Sequence, residues 1–217
     1  MGPPSGPPPN VKRRLITSNS KLDSSTSSKA PRVLANDSSA IDSFLSTPKN
    51  RPTAIRYISS SSRAISEGRG KARGEIGMAA VDLRHPHLVL CQFSDTLLYT
   101  HTLTKINYFN PVEIIVPHTF CEGAQPNQLY QLIKDQYPLI AVTAVQRRHY
   151  NDSAGRQQIQ SLCAPQYSAV YLQVLHKFYA LTAAAAVLKY VEYIQCIVFA
   201  RESLKVAYHS SEDTMII

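Results

Sequence analysis

Two short runs of mostly apolar residues constrain the fold of this chain more than any other feature: "VEIIV" at 112–116 and "LIAVTAV" at 139–145. Their length suits β-strands, and their lack of a strict polar–apolar alternation is typical of strands covered on both faces. Such strands occur in parallel sheets, where helices connect one strand to the next. The two runs therefore predict a sheet with helices packed on its faces.

The segments around these runs have the spacing of helices. Ser94 or Asp95 can cap a first helix, and Pro111 ends it. The inward face of that helix is predicted at positions i, i+4 and i+7, which are Tyr99, Leu103 and Ile106. Pro126 begins a second helix, and Asp152 caps a third.

A hairpin is predicted ahead of these elements. In "EIGMAAVD", 75–82, the residues Ile76, Met78 and Ala80 alternate with Gly77, Ala79 and Val81, which is the period of a strand. The turn "RHPH", 84–87, is followed by a second strand, "LVLCQF". A hairpin followed by alternating helices and strands indicates an α/β fold, a mixed, twisted sheet with flanking helices.

The composition changes at about Ala64. Residues 1–63 hold eight of the 14 prolines and 15 serines, and their ten Lys and Arg face three Asp, a net charge of +7 out of the chain's +8. Such a segment buries too little apolar surface to offset its ordering entropy, so we expect a disordered, basic, Ser/Pro-rich tail. Its bases, among them Lys12, Arg13 and Arg14, would attract polyanions without reading their sequence.

A long helical segment is predicted from Ser168 to Phe199, since it has no internal proline or glycine. A helix that is apolar on most of its faces is either buried or awaits a partner. Two strands, "LKVAY" and "TMII", are expected after it. We therefore expect a tail at 1–63, a first domain at 64–167 and the start of a second, truncated domain at 168–217.

The glycine-rich stretch "SEGRGKARG", 66–74, does not fit a nucleotide site. A P-loop needs a glycine five residues before its Gly-Lys pair and a hydroxyl after it, but Gly70-Lys71 is preceded at that distance by Ile65 and followed by Ala72. The glycines also precede a predicted strand, whereas a dinucleotide fingerprint follows one. The stretch is expected to be a flexible entry with solvated bases, and no cofactor is predicted for this chain.

Asp82 raises the alternative of a metal-dependent nuclease. A carboxylate on the first strand of a hairpin-led mixed sheet suits RNase H-like chemistry, which needs at least two further carboxylates. The candidates by residue type are Asp95, Glu113 and Asp152, and each has a simpler use as a cap or a strand-end residue. The four cysteines and seven histidines lack the spacing of a metal site.

The segment "QRRHYND", 146–152, follows a predicted buried strand. Arg147 and Arg148 can hold phosphate, and Tyr150 can stack on a base. A capped loop beside a partner surface explains the same residues equally simply. No membrane association is expected, because the most apolar segment, 178–188, is too short to span a bilayer.

Four segments, taken in order, resemble the connector region of MutS-family proteins, in particular of the meiosis-specific branch: "EGRGKARGEIGMAAVDLRHPHLVLCQFSD", "NPVEIIVP", "VQRRHYND" and "AAAAVLKYVEYIQ". The resemblance covers about residues 64–217. It implies an RNase H-like fold without nuclease function, followed by a long helix that opens the lever and core domains. It also implies that ATP and magnesium act only in full-length members, through an ATPase domain that this sequence does not contain.

The resemblance further implies a heterodimer with MutS homologue five. That pair would recognise branched recombination intermediates such as Holliday junctions and promote crossovers on meiotic chromosomes in the nucleus. The residues of this chain expected to contact DNA are Lys12, Arg13, Arg14, Arg69, Lys71, Arg73, Arg147 and Arg148. A nuclease, or a shortened isoform that binds partners without DNA, remains the alternative.

Overall fold

The computed structural model describes residues 32–33, 44–45 and 61–211. Its strands are β1 (Arg32–Val33), β2 (Ser61–Glu67), β3 (Glu75–Asp82), β4 (His87–Ser94), β5 (Glu113–Pro117), β6 (Ala141–Val145), β7 (Ile197–Val198) and β8 (Lys205–Tyr208). Its helices are α1 (Thr100–Phe109), α2 (Gln128–Gln136), α3 (Asp152–Leu162), α4 (Ala169–Val174) and α5 (Phe178–Tyr193).

Six of the described strands form one mixed sheet in the order β6-β5-β2-β3-β4-β8. Strands β2, β5 and β6 are parallel, β3 is antiparallel to both β2 and β4, and β8 is parallel to β4. The α/β class with a mixed sheet and flanking helices is thereby confirmed. The hairpin β3–β4 and the buried strands β5 and β6 lie where the sequence patterns predicted them.

Helices cover both faces of the sheet. On one face, Ile65, Met78 and Ile114 join α1 and α2 in a core that includes Ile106 and Ile133. On the other face, a larger core joins alternate residues of the same strands to α3 and α5, with contributions from Ala64, Ala79, Val81, Leu90, Ile115, Ile159, Leu181, Val187 and Val191. Because both faces are covered, the inner strands need no polar alternation.

Short polar side chains fix where the helices begin. The Asp95 carboxylate accepts hydrogen bonds from the backbone N–H groups of His101 (3.3 Å) and Thr102 (2.7 Å), so it bonds the first turn of α1. The helix begins later than predicted, however, because its N-cap position is Tyr99 and not Ser94 or Asp95. At the start of α3, however, the cap is Asn151, whose side-chain oxygen accepts from Ala154 N–H at 2.9 Å. Asp152, the predicted cap, lies inside the first turn, where its charge favours the helix dipole.

The predicted long helix is divided into α4 and α5, which are separated at 175–177. Helix α5 packs on the sheet itself. A Cβ on Gly77 of β3 would lie 2.0 Å from the Tyr179 carbonyl carbon, so only glycine allows the helix this close. Strand β8 then pairs with β4. The boundary expected at residue 167 is therefore wrong for the described residues, because 168–208 complete the same core.

The boundary expected at residue 63 is also wrong. Strand β2 begins at Ser61 and lies in the middle of the sheet, and Phe44 and Leu45 are 1% and 3% exposed. Arg63 is buried beneath α1, where its Nη1 donates to the Lys105 carbonyl at 2.8 Å and its guanidinium lies 3.9 Å from the centre of the Phe109 ring. Burial lowers the pKa of Arg63 to about 10.

Several predictions concern other parts of the chain. Lys12, Arg13, Arg14 and the strand "TMII" lie outside the described residues. Leu139, predicted to begin a buried strand, is 98% exposed, because β6 starts two residues later. Within the described ranges, no helix has both the length and the apolar character needed to cross a membrane.

Candidate nucleic-acid interface

Three parallel strands end at one edge of the sheet, and polar residues follow each of them. Arg69 comes two residues after β2, His118 directly follows β5, and Gln146 to Arg148 follow β6. Since β2, β5 and β6 are neighbours and run in the same direction, their carboxyl ends lie side by side. In open α/β sheets this edge is where ligands bind.

The turn after β6 is held by the residue that follows β5. Residues Arg147–His149 form a single 3-10 turn, and the backbone N–H of Arg147 donates to His118 Nδ1 at 3.0 Å. This contact requires an unprotonated Nδ1, so the proton lies on Nε2, which is 3.5 Å from Glu122 Oε2. His118, Glu122, Gln146, Arg147 and Arg148 line an open pocket of about 380 Å³.

Arg147 lies within electrostatic range of Arg69. Partial burial and then the charge of Arg69 lower the pKa of Arg147, while Tyr179 raises it. Arg147 nevertheless stays charged at neutral pH, as arginine does in proteins. Two guanidinium groups that repel each other would both be stabilised by an anion placed between them. The structure thus brings together two of the predicted DNA contacts, with Arg148 adjacent in the same turn.

The glycine-rich stretch is an ordered turn between β2 and β3, so the expected flexible entry is wrong. Gly68 N–H donates to the Glu75 carbonyl at 2.9 Å, and Gly74 has a φ of +91°, which suits glycine. Lys71 is exposed within the turn. Arg73 contacts a different element, since one of its guanidinium nitrogens donates to Gln128 Oε1 of α2 at 3.3 Å.

Arg73 also belongs to a network around the buried Glu67 carboxylate. Tyr99 donates to Glu67 Oε1 at 2.7 Å, and Asn127 donates to Oε2 at 2.8 Å. Burial first, and then Glu67, raise the pKa of Tyr99 to about 12, with Arg73 acting in the opposite direction. These contacts give Arg73 a structural use, so it is the weakest of the predicted DNA contacts within the described region.

The carboxylates proposed for a nuclease are dispersed among structural contacts. Asp82 accepts from Arg84 N–H in the β3–β4 turn at 2.9 Å, Asp95 caps α1, and Asp152 lies 3.4 Å from Arg156. In the part of the chain that the structure describes, no three His, Cys, Asp or Glu side chains gather as a metal site would require. The geometry therefore does not favour two-metal chemistry.

Glu113, the fourth candidate carboxylate, is buried at the amino end of β5. Thr143 and Tyr190 each donate a hydrogen bond to its Oε1 at 2.6 Å. Burial raises the pKa of Glu113, and the two hydrogen bonds oppose that shift. Glu113 begins β5, so it lies at the amino end of the parallel strands, whereas the Arg147–His149 turn lies at their carboxyl end.

His118, Gln146, Phe44 and Leu45 were not predicted as parts of this region. A signal for the first two was present, because each follows a predicted strand, and parallel strands end at a common edge. Arg69 could not be placed beside them from the pattern, since β2 itself was not predicted. For Phe44 and Leu45 the serine-rich surroundings concealed a local apolar pair.

Comparison with known proteins gives consistent matches. The family model for MutS domain II matches residues 56–197. The chain is 41% identical over 174 residues to MutS protein homolog 4 of Homo sapiens, covering 75% of this chain and 19% of that protein. It is 29% identical over 175 residues to MutS protein homolog him-14 of Caenorhabditis elegans, covering 81% and 21%. It is 32% identical over 146 residues to DNA mismatch repair protein MSH4 of Arabidopsis thaliana, covering 66% and 18%. The chain thus spans about a fifth of the length of these relatives.

Proposed function

Because this chain belongs to the MutS family and its described fold is that of the connector domain, we propose that it is the non-enzymatic connector portion of a meiotic MutS homologue. The whole protein would form a heterodimer with MutS homologue five in the nucleus. It would use ATP in other domains, recognise branched recombination intermediates in a manner related to mismatch repair, and promote crossovers. The connector would join those domains and contact the DNA backbone.

The observation that carries the DNA contact is the cationic edge, which we define as Arg69, Arg147 and Arg148 beside His118. Arginine forks match phosphate oxygens, and the bases come from two different strand ends rather than from one flexible run. Phosphate contacts position a protein on DNA without reading sequence. That property suits a domain whose ligand is recognised by its branching.

The nucleotide chemistry of the family has no counterpart among these residues. The Gly70–Ala72 turn has the Gly-Lys pair of a phosphate-binding loop, but Ala72 lacks the hydroxyl that magnesium requires, and Gly70 has no glycine five positions before it. The turn also precedes a strand and no α-helix begins there, so no helix N-terminus points at a phosphate. The residues of this turn therefore do not fit ATP.

The test is the salt dependence of binding to a four-way junction and to a duplex of equal length. A plot of log K against log salt has a negative slope, to which each phosphate contact contributes roughly −0.9. We expect the double variant Arg147→Ala/Arg148→Ala to make this slope less negative by about 2. The matched control is Arg84→Ala/Arg201→Ala, which removes the same charge from exposed positions away from this edge. Equal effects of the two variants would show that only net charge matters.

Further outcomes separate the alternatives. A wild-type chain that binds duplex and junction equally near physiological salt would refute recognition of branching. A chain that binds MutS homologue five but no DNA would be a partner-binding module instead. Metal-dependent cleavage of the junction by the wild-type chain, abolished by Asp82→Asn, would establish the nuclease.

A further inference from the structure

Two residues of the N-terminal segment are docked against the folded domain next to the cationic edge. The Phe44 ring lies 4.3 Å from the His149 ring and 5.7 Å from the Tyr193 ring, measured between centroids. Leu45 forms an antiparallel bridge with Val145 at the end of β6. Both side chains are almost fully buried, so this is a filled site and not a surface contact.

Backbone and side-chain hydrogen bonds reinforce the docking. The N–H of Gln146 donates to the Phe44 carbonyl at 3.3 Å, and Gln146 Nε2 donates to the Leu45 carbonyl at 3.4 Å. Strand β6 is at the edge of the sheet, so Phe44 and Leu45 occupy backbone groups that would otherwise face outward. The pair therefore binds by strand addition and by aromatic packing together.

The contacted residues flank the two arginines on both sides. Val145 and Gln146 come just before Arg147, and His149 comes just after Arg148. His149 N–H donates to the Gln146 carbonyl at 3.0 Å, which closes the turn, and Arg148 Nε donates to His149 Nε2 at 3.2 Å. Phe44 thus holds the His149 ring, which in turn orients the Arg148 guanidinium. Phe44 itself carries no charge.

We infer that Phe44 and Leu45 act as an intramolecular anchor that holds the Arg147–His149 turn in its anion-binding geometry, so that phosphate affinity at the cationic edge depends on the docking of these two residues. The inference rests on the proposed function of that edge. It makes Phe44 a positioning residue. By linkage, DNA bound at the edge must stabilise the docked anchor to the same degree that the anchor strengthens DNA binding.

The experiment is a double-mutant cycle on the full chain with the four-way junction as the probe. Phe44→Ala is measured in the wild-type background and in the Arg147→Ala/Arg148→Ala background. We expect a loss of affinity on the order of tenfold in the first background and less than about twofold in the second, because coupled residues are not additive. Phe44→Leu, which keeps an apolar side chain in the site, should restore most of the affinity.

Hydrogen exchange supplies a readout independent of DNA binding. Phe44→Ala should accelerate exchange of the amides at 146–150, while the amides of β3 and β4 stay protected. Adding the junction to the wild-type chain should slow exchange at 146–150. Loss of protection throughout the sheet would mean that Phe44→Ala has unfolded the domain, and Phe44→Leu then decides the question, since it must keep both the fold and the affinity.

Two results would overturn the inference while leaving the proposed function intact. The first is that the Arg147→Ala/Arg148→Ala variant loses affinity for the junction whereas the Phe44→Ala variant keeps it. The other is a Phe44→Ala effect of the same size in both backgrounds, which would mean that Phe44 acts elsewhere. If removing the two arginines has no effect, the proposed DNA contact fails and the inference fails with it.

Discussion

Gly155 in helix α3 offers a prediction whose sign is opposite to the usual one. Replacing a glycine inside a helix by alanine normally stabilises the helix by about 1 kcal/mol. Here a Cβ at position 155 would lie 2.1 Å from the Leu181 carbonyl oxygen of α5 and 3.4 Å from the Ala185 nitrogen. Ordinary contact needs about 3.5 Å, so α3 would have to move by roughly 1.4 Å.

The obstructing atoms belong to the backbone of a buried helix, so no side-chain rotation relieves the contact. A contact with backbone that cannot rotate away falls at the upper end of the overpacking range, about 2–3 kcal/mol, and the helix-propensity gain of about 1 kcal/mol offsets only part of it. We expect Gly155→Ala to lower the free energy of unfolding by about 1–2 kcal/mol. With an m-value of about 2 kcal/mol/M, the urea midpoint should fall by about 0.5–1 M.

The assay is equilibrium unfolding in urea, followed by circular dichroism. The matched control is Gln157→Ala, an exposed position in the same helix, for which we expect little change or a slight gain. A Gly155→Ala variant that gains about 1 kcal/mol, as an isolated helix would, refutes the close contact of α3 and α5. A loss shared equally by Gln157→Ala would point to the helix rather than to its packing.

Two further substitutions test the buried carboxylates. Burial raises the pKa of Glu113 in the folded protein above its ordinary value of 4.5. The neutral carboxyl therefore favours folding at pH values below 4.5, and this contribution to stability is lost as the pH rises through the pKa of the folded state. The unfolding free energy of the wild type relative to Glu113→Gln should therefore fall as pH rises from 4.5, and a constant difference would contradict the burial. Asn127→Ala should cost about 2–3 kcal/mol in urea unfolding, because it removes both the α2 cap and a hydrogen bond to Glu67. Asn127→Asp restores the cap but places two carboxylates together, so it should recover only part of the loss.

The apolar runs and the capping role of Asp95 could be predicted because their signals are local. Strands β5 (Glu113–Pro117) and β6 (Ala141–Val145) overlap most of "VEIIV" and "LIAVTAV", and Asp95 bonds the first turn of α1. The spacing of a buried strand and the chemistry of an N-cap each involve only a few consecutive residues. The position of Arg147 and Arg148 at a strand end could be predicted for the same reason, since they closely follow a recognisable strand.

Strand β2 could not be predicted in this way. "SSRAISE" contains two apolar residues, and its strand character comes from its neighbours, because it pairs with β3 on one side and β5 on the other. The sequence pattern predicts Arg63 as a solvated base of the tail. In the structure it is buried, and its guanidinium is stabilised by the Lys105 carbonyl and the Phe109 ring. Phe44 was missed because its partners, His149 and Tyr193, are more than a hundred residues away in the sequence. Tertiary contacts decide all three cases.

The placement of α5 yields a final prediction about which residues fold together. The sequence pattern separates 168–217 from the sheet, whereas the structure buries Leu181, Val187, Leu188 and Val191 against it. Four buried branched side chains contribute about 6–12 kcal/mol at roughly 1.5–3 kcal/mol each. A whole domain is stable by only about 5–15 kcal/mol, so a chain that ends at residue 167 should not fold.

A chain that ends at residue 211 retains α5 and β8 and should unfold in one cooperative transition by calorimetry. The two truncated chains differ only by residues 168–211, so the comparison isolates their contribution. Cooperative melting of the shorter chain with dispersed amide resonances would show that the sheet is stable without α5. That result would restore the boundary at 167 and leave the Tyr190–Glu113 hydrogen bond as an interdomain contact.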